Sequence, residues 1–294
     1  MLDFVIIGGG TAGLSAAVYA CRANKKTLVI ERESFGGQIV DAPTVENYPG
    51  IGSISGAQFA SDLFDQAEKF GATFKCETVT GIERTGDALR VVTDIGSYET
   101  KRVIIAAGCE HRRLGLNAEA ELIGSGVSYC ALCDGAFFAD KTVAVVGGGN
   151  AAFTDALYLS DIAKLVYIIH RRDTYRAEPT LVERAEGLNT VRLVKNAVVK
   201  ELLGSDELTG IKITENGAER TLELDGLFVA IGQQPDNTAF GVELDADGYI
   251  VTDELCRTSV AGVYAAGDCR RKAVRQLTTA AADGAIAVQT ALKD

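Results

Sequence analysis

Two cysteines three positions apart, Cys130 and Cys133, are followed at once by Asp134 in the stretch YCALCDGAFF. A pair at this spacing can clip zinc, staple a turn, or open and close as a redox couple. A structural zinc site takes four Cys or His ligands, commonly as two close pairs. This chain has one close pair and only two histidines, His111 and His170, so zinc would need distant cysteines to converge. A disulfide between near neighbours closes too small a loop to stabilise much through chain entropy. The redox reading is therefore preferred: a C-x-x-C pair can lower one thiol's pKa, raise its thiolate content and form mixed disulfides. Asp134 could give or take the proton, cap a helix, or do both. No histidine follows residue 170, so an acid–base group serving the pair is a carboxylate such as Asp134, a thiol or a water.

The elements that would position such a pair repeat once along the chain. In FVIIGGGTAGLSAAVYACRANKKTLVIERE, an apolar strand meets a glycine turn, an Ala-rich helix and a second strand. Gly8, Gly10 and Gly13 stand at G-x-G-x-x-G spacing. The first two let the backbone turn and approach a pyrophosphate, and the third lets helix and strand pack closely, with the helix N-terminus facing phosphate charge. Glu31 ends the second strand, where a carboxylate can bind a ribose with free hydroxyls. In TVAVVGGGNAAFTDALYLSDIAKLVYIIHRRD the same order returns, with Gly147, Gly149 and Ala152 at the glycine positions. Glu31 lies 23 positions after Gly8, and the same step from Gly147 arrives at His170, followed by Arg171 and Arg172, with Arg176 close behind. Arginines in that slot bind a 2′-phosphate that an acid would repel. The second unit thus reads as built for NADP and the first for a dinucleotide with free ribose hydroxyls. Two such units in one chain point to electron transfer between a flavin and a nicotinamide. GLFVAIGQQPD and GVYAAGDC add apolar strand ends that finish in glycine, the latter carrying Asp268.

The bulk composition agrees with this organisation. A length of 294 residues allows two domains. The net charge of -11, from 29 basic and 40 acidic residues, opposes general affinity for nucleic acid or anionic membrane while leaving room for a small basic pocket. No stretch approaches the ~18 uninterrupted apolar residues of a membrane span. The start, MLDFVIIGGG, reads as a strand without a basic n-region. Seven scattered cysteines do not form an extracellular disulfide framework, so the expected setting is reducing and cytoplasmic.

Taken together, GGGTAG, GGQI (36–39), VENYPG (45–50), CALCDG (130–135), GGGNAA (147–152), HRRDTYRAE (170–178), AAGD (265–268) and RQLTTAAADG (275–284) resemble the low-molecular-weight thioredoxin reductases of bacteria over essentially the whole chain. CALCDG just before the second glycine turn separates this type from larger disulfide reductases, whose pair lies in the first domain. The resemblance implies an α/β fold of two Rossmann-like, three-layer dinucleotide-binding domains, the second inserted into the first. Residues 1–112 and 239–294 would form the FAD domain, and 113–238 the NADPH domain carrying the dithiol. FAD would lie over Gly8, Gly10, Gly13, Glu31, Gly37, Gln38 and Asn47, closed by Asp268, Arg275 and Gln276. Cys133 would face the flavin, Cys130 would attack the disulfide of thioredoxin or a thioredoxin-like dithiol protein, and Asp134 would shuttle the proton. A homodimer is implied, with the middle domain rotating about linkers near Glu110 to Leu116 and Gln233 to Phe240. The chain departs from the family pattern at Ala151 and at Thr154-Asp155, where relatives commonly have a hydroxyl residue and two glutamates. The alternatives left open are reduction of another dithiol carrier or a peroxidase module, and a flavoprotein using a different electron donor.

Overall fold

The computed structural model describes residues 1–294. In chain order its regular elements are β1 (Leu2–Ile7), α1 (Thr11–Arg22), β2 (Thr27–Glu31), α2 (Gly56–Lys69), β3 (Thr73–Cys76), β4 (Val79–Thr85), β5 (Ala88–Thr93), β6 (Ser97–Ile105), β7 (Glu110–His111), β8 (Val127–Ser128), α3 (Ala131–Asp134), β9 (Thr142–Val146), α4 (Asn150–Ser160), β10 (Leu165–Ile169), α5 (Pro179–Glu186), β11 (Val191–Val194), β12 (Ala197–Leu203), β13 (Gly210–Glu215), β14 (Ala218–Glu223), β15 (Gly226–Val229), β16 (Gln233–Gln234), β17 (Val263–Ala265) and α6 (Leu277–Ala291). The chain folds into two compact units, one of residues 1–110 with 234–294 and one of residues 111–233. No helix is long and apolar enough to cross a membrane.

The discontinuous unit is built on a seven-stranded sheet of order β3-β2-β1-β6-β5-β4, with β17 paired to β6. Its β3-β2-β1-β6-β17 part is parallel, and β4 and β5 run antiparallel beside it. The apolar runs of β1 and β6 follow from covering the sheet on both faces. Phe4, Ile6 and Ile104 pack into one cluster with α1 and α6, while Val5, Ile7, Val103 and Ile105 pack into another beneath. Neighbouring residues in a strand point to opposite faces, so a fully covered parallel strand needs apolar side chains at every position. α1 and α6 approach closely because small residues face each other: a Cβ on Gly284 would stand 2.3 Å from the Ala12 carbonyl oxygen, and Ser15 donates to the Ala281 carbonyl at 2.8 Å.

The continuous unit carries a five-stranded parallel sheet of order β11-β10-β9-β15-β8 and a separate antiparallel sheet β12-β13-β14. The same two-faced burial recurs: Ala144, Leu227 and Val229 belong to one core, and Val143, Val145 and Phe228 to the other. In both units the order is strand, glycine turn, helix, adjacent parallel strand, which places each glycine turn at the carboxyl ends of its strands.

Packing explains the third glycine of the first turn. A Cβ on Gly13 would lie 1.9 Å from the Gly8 carbonyl oxygen, whereas one on Gly10 would meet nothing closer than 3.8 Å. Gly13→Ala is therefore expected to destabilise the unit by about 1–3 kcal/mol through overpacking. Gly10→Ala should stay within about 0.5 kcal/mol of the wild type. Denaturant unfolding of the two variants checks this contrast.

Candidate redox site and its nucleotide cradles

Cys130 and Cys133 form a disulfide with a Cα–Cα distance of 5.3 Å. Strand β8 delivers the pair into the single turn α3, and Cys130 is that turn's N-cap, its Sγ accepting from the Cys133 amide at 3.2 Å. Cys130 is half-buried and Cys133 exposed. Asp134, half-buried, does not cap the turn. Its Oδ2 instead accepts from the Ser128 hydroxyl at 2.6 Å. Burial pushes its carboxyl above the ordinary range and the Ser128 bond partly opposes this, with no cation contributing. A carboxyl poised in this way keeps its proton to higher pH than a free aspartate, as a proton donor to a thiolate requires.

Sequence reasoning singled out the pair and Asp134 but not what holds them. Glu119 is 2% exposed. Its Oε1 accepts from the Leu114 amide and the Tyr129 hydroxyl at 2.8 and 2.7 Å, and its Oε2 from the amides of Gly115 and Leu116 at 2.8 and 3.3 Å. The residue beside Cys130 is thereby tied to the segment that enters this unit. The Tyr129 ring also packs on His111, with centroids 5.0 Å apart. Burial holds the His111 imidazole below its usual pKa, so it is neutral at pH 7. Neither Glu119 nor Ser128 belongs to a recognisable spacing pattern.

The glycine turn of this unit follows the dithiol. Gly147 donates to the Ile169 carbonyl at 3.0 Å, α4 begins at Gly149 with no side-chain cap, and Ala152 is fully buried beneath. A Cβ on Gly149 would meet nothing within 4 Å, so the helix N-terminus opens onto free space. His170 has a different place from its arginine neighbours. Its ring is 9% exposed and lies against Gly148, where an added Cβ would come within 2.3 Å, and its Nε2 pairs with the Thr174 carbonyl at 3.1 Å. Burial, opposed by the Thr174 carbonyl and aided by Arg172, Arg171 and Arg176, keeps this imidazole below its ordinary pKa, so it stands there as a neutral ring. The following loop is stitched to the glycine turn by the Arg176 and Ala177 amides, which donate to the Gly148 carbonyl at 2.7 and 3.1 Å. Arg171, Arg172 and Arg176 are exposed, and none takes part in an ion pair. Of the departing positions, Ala151 and Thr154 are exposed, and burial pushes the Asp155 carboxyl to about 6.

In the discontinuous unit, Gly8 (φ +105°) could not carry a Cβ, which would fall 2.2 Å from the Ala106 carbonyl oxygen. α1 starts at Gly10, again with no side-chain cap. Glu31 accepts from the Gly9 amide through Oε2 at 2.7 Å and from the Arg32 and Glu33 amides through Oε1 at 2.8 and 3.1 Å. Oε2, with one donor, retains capacity for a hydroxyl. Gly36 donates to the Gly9 carbonyl at 2.8 Å, setting Gly37 and Gln38 beside the turn. Asn47 donates to the Gln276 side chain at 3.3 Å. Asp268 Oδ1 and Arg275 Nε are buried without hydrogen-bond partners, Lys272 Nζ standing 4.0 Å from the former, and the Arg275 guanidinium stacks on Tyr249 at 4.1 Å. Buried polar atoms without partners cost free energy, so an acceptor and a donor of this kind fit a ligand bearing hydroxyls and acceptor oxygens. No motif marks the group that fixes this segment. Asp283 takes both ends of Arg270 at 2.9 and 2.8 Å, Lys272 at 2.9 Å and the Gly267 amide at 3.0 Å. The remaining five cysteines are free thiols. Cys21, Cys109, Cys256 and Cys269 are buried, with burial pushing the thiols of Cys109 and Cys269 to about 12, and Cys76 is an isolated surface residue.

Each unit carries a glycine turn with an uncapped helix, one beside arginines without ion-pair partners and the other near buried polar atoms that lack hydrogen bonds, and the continuous unit adds a disulfide and a partly buried acid: these are features suited to dinucleotides and to thiol chemistry. Known proteins agree. The family model described as pyridine nucleotide-disulphide oxidoreductase matches residues 2–284. A thioredoxin reductase of Treponema pallidum (strain Nichols) is 44% identical over 293 residues, covering 98% of this chain and 95% of that protein. One from Bacillus subtilis (strain 168) is 42% identical over 294 residues, covering 98% and 93%. The crystal structure of thioredoxin reductase from Streptococcus pyogenes MGAS5005 superposes with a TM-score of 0.95 at 41% identity, covering 100% of this chain and 97% of that one. A family match along almost the whole chain, with relatives this similar over more than nine-tenths of their length, establishes that the chain belongs to the pyridine nucleotide-disulphide oxidoreductase family.

Proposed function

We propose that this protein is an NADPH-dependent thioredoxin reductase that uses FAD and carries its electrons to the partner through Cys130 and Cys133. The observation that carries the reading is the disulfide held in a one-turn helix beside a carboxyl that has no cation partner. Family membership brings flavin and pyridine-nucleotide use, and the relatives named thioredoxin reductase support the partner.

The residues divide the work as follows. The α1 N-terminus with Gly8, Gly10 and Gly13 would take the FAD pyrophosphate, and the spare lone pair of Glu31 a ribose hydroxyl. Gly37, Gln38, Asn47, Asp268, Arg275 and Gln276 would hold the rest. Gly147, Gly149 and Ala152 at the start of α4 would take the NADPH pyrophosphate, and Arg171, Arg172 and Arg176 its 2′-phosphate, with neutral His170 supporting the turn from beneath. When bound, the two cofactors supply the two electrons that open the disulfide. Cys130, as thiolate, then attacks the disulfide of thioredoxin, forming a mixed disulfide and releasing one partner thiolate, to which Asp134 gives a proton. Cys133 attacks Cys130 in the mixed disulfide, restoring the Cys130–Cys133 bond and releasing the second partner sulfur. The net exchange consumes one NADPH and one proton and yields NADP⁺ and the partner dithiol.

Steady-state reduction of oxidised thioredoxin with each nicotinamide tests the assignment. The wild type should turn over with NADPH, and Arg171→Ala should raise the KM for NADPH about 10- to 100-fold, the cost of one charge-assisted hydrogen bond. Its KM for NADH should change less than about twofold. Equal losses with both nucleotides would remove the 2′-phosphate role. A wild type that oxidises NADPH without reducing thioredoxin would remove the partner.

The raised pKa of Asp134 sets a pH dependence. A general acid works while protonated, so thioredoxin reduction should fall as pH rises through the raised pKa of this carboxyl. Asp134→Asn, which has no proton to lose, should abolish that limb and slow the reaction about 10²- to 10⁴-fold. Rate against pH for the two proteins checks both statements.

A further inference from the structure

Ser128 lies on β8 and is 4% exposed. Its hydroxyl oxygen is at the centre of three contacts: Asp134 Oδ2 at 2.6 Å, the Cys130 amide at 3.0 Å and the Cys130 carbonyl oxygen at 3.4 Å. A hydroxyl offers one donor and two acceptor lone pairs. One of these is fixed, because the Cys130 N–H can only donate to the oxygen. The other two contacts compete for the single hydroxyl proton. When Asp134 is ionised, the proton points to Oδ2. When Asp134 is protonated, the carboxylic O–H can donate to the serine oxygen, and the serine proton can turn to the Cys130 carbonyl as a weaker third contact, beside the Cys133 and Asp134 amides that this oxygen already accepts at 3.2 and 3.1 Å.

We propose that Ser128 is a positioning residue for proton delivery at the dithiol, its hydroxyl turning between Asp134 and the Cys130 carbonyl so that the carboxyl stays hydrogen-bonded in both protonation states. This rests on the reading that Asp134 serves Cys130 and Cys133. The physical gain is that a partly buried acid changes charge without stranding a polar atom, which a buried site otherwise penalises. The proton that leaves the carboxyl goes to the departing thiolate, giving a carboxylate and a thiol. The same serine also pins the amide of the attacking cysteine, linking the acid to the sulfur's position.

The surroundings leave this role to Ser128. On the turn of Asp134 itself, the titratable groups are Cys130 and Cys133. The following turn, Gly135–Phe138, has none. β8 itself adds no charged group, and the Tyr129 hydroxyl that follows it is spent on Glu119. α4, packed against α3, presents Asp155 and Tyr158, whose ring lies by Gly135. Asp155 is perturbed by burial alone, and no charged group acts on Asp134.

The test replaces the hydroxyl without removing the acid. Ser128→Ala and Ser128→Val lack it, while Ser128→Thr keeps it in the shape of valine, so the Val and Thr pair separates hydroxyl loss from packing. In protein labelled with carboxyl-¹³C aspartate, NMR gives the Asp134 titration, assigned by its loss in Asp134→Asn. Ser128→Ala and Ser128→Val should move that titration upward from the wild type, because of the two bonds lost the charge-assisted one to the carboxylate is the stronger, and Ser128→Thr should restore it. The alkaline limb of thioredoxin reduction should move in step, with the rate falling about tenfold. An unchanged Asp134 titration in Ser128→Val, or a threonine variant that matches valine, would overturn the proposal. The NMR titration needs no turnover, so it stands apart from the functional reading. That reading fails instead if wild type and Asp134→Asn reduce thioredoxin equally.

Discussion

Helices α1 and α4 begin at glycine turns, with backbone amides that no side chain caps. The first turns of α1 and α4 open at Gly10 and Gly149, each at the carboxyl end of a parallel strand. Helix N-termini carry partial positive charge and unsatisfied N–H groups, and both demands are met by an anion. Much else in the sequence follows from keeping these turns bare. Gly8 and Gly13 exist because a Cβ would strike backbone, and Ala152 stands buried beside Gly147 where only a small side chain fits. The continuous apolar strands exist because a parallel sheet with helices on both faces leaves no wet side.

What distinguishes the two turns lies at the end of the second strand of each. Glu31 is held by three amides and keeps a free lone pair suited to a hydroxyl. The corresponding slot in the other unit carries a buried neutral histidine and three arginines without carboxylate partners. Unpaired arginines gathered on one loop repel each other and favour a doubly charged phosphate. On the proposed reading, one geometry would serve two nucleotides through side chains at a single position in the repeat.

Those parts were legible in the sequence because they are local. Glycine spacing, strand periodicity and a C-x-x-C pair each span few residues, and the strands, turns and helices they indicate are present. The 23-position step that links Gly8 to Glu31 also lands on the basic cluster. What was not legible depends on partners far along the chain or on orientation. Glu119 is an ordinary acid until the fold brings three amides and the Tyr129 hydroxyl around it. Asp283 gathers Arg270, Lys272 and Gly267 only once α6 lies beside them. His170 sits in a basic run and was grouped with it, yet its ring faces inward against Gly148. Ser128 carries no motif, and its contacts with Cys130 and Asp134 emerge only from the bend between β8 and α3.

The central claim is that electrons entering from the nicotinamide come to rest in the Cys130–Cys133 bond. The direct measurement is anaerobic reduction of the FAD-loaded protein with NADPH, followed by thiol alkylation and mass analysis of the peptide holding residues 129–138. The expected result is two alkyl groups, one on each cysteine, appearing as the flavin colour is lost and absent without NADPH. A fully bleached flavin over a peptide that remains disulfide-bonded would contradict it.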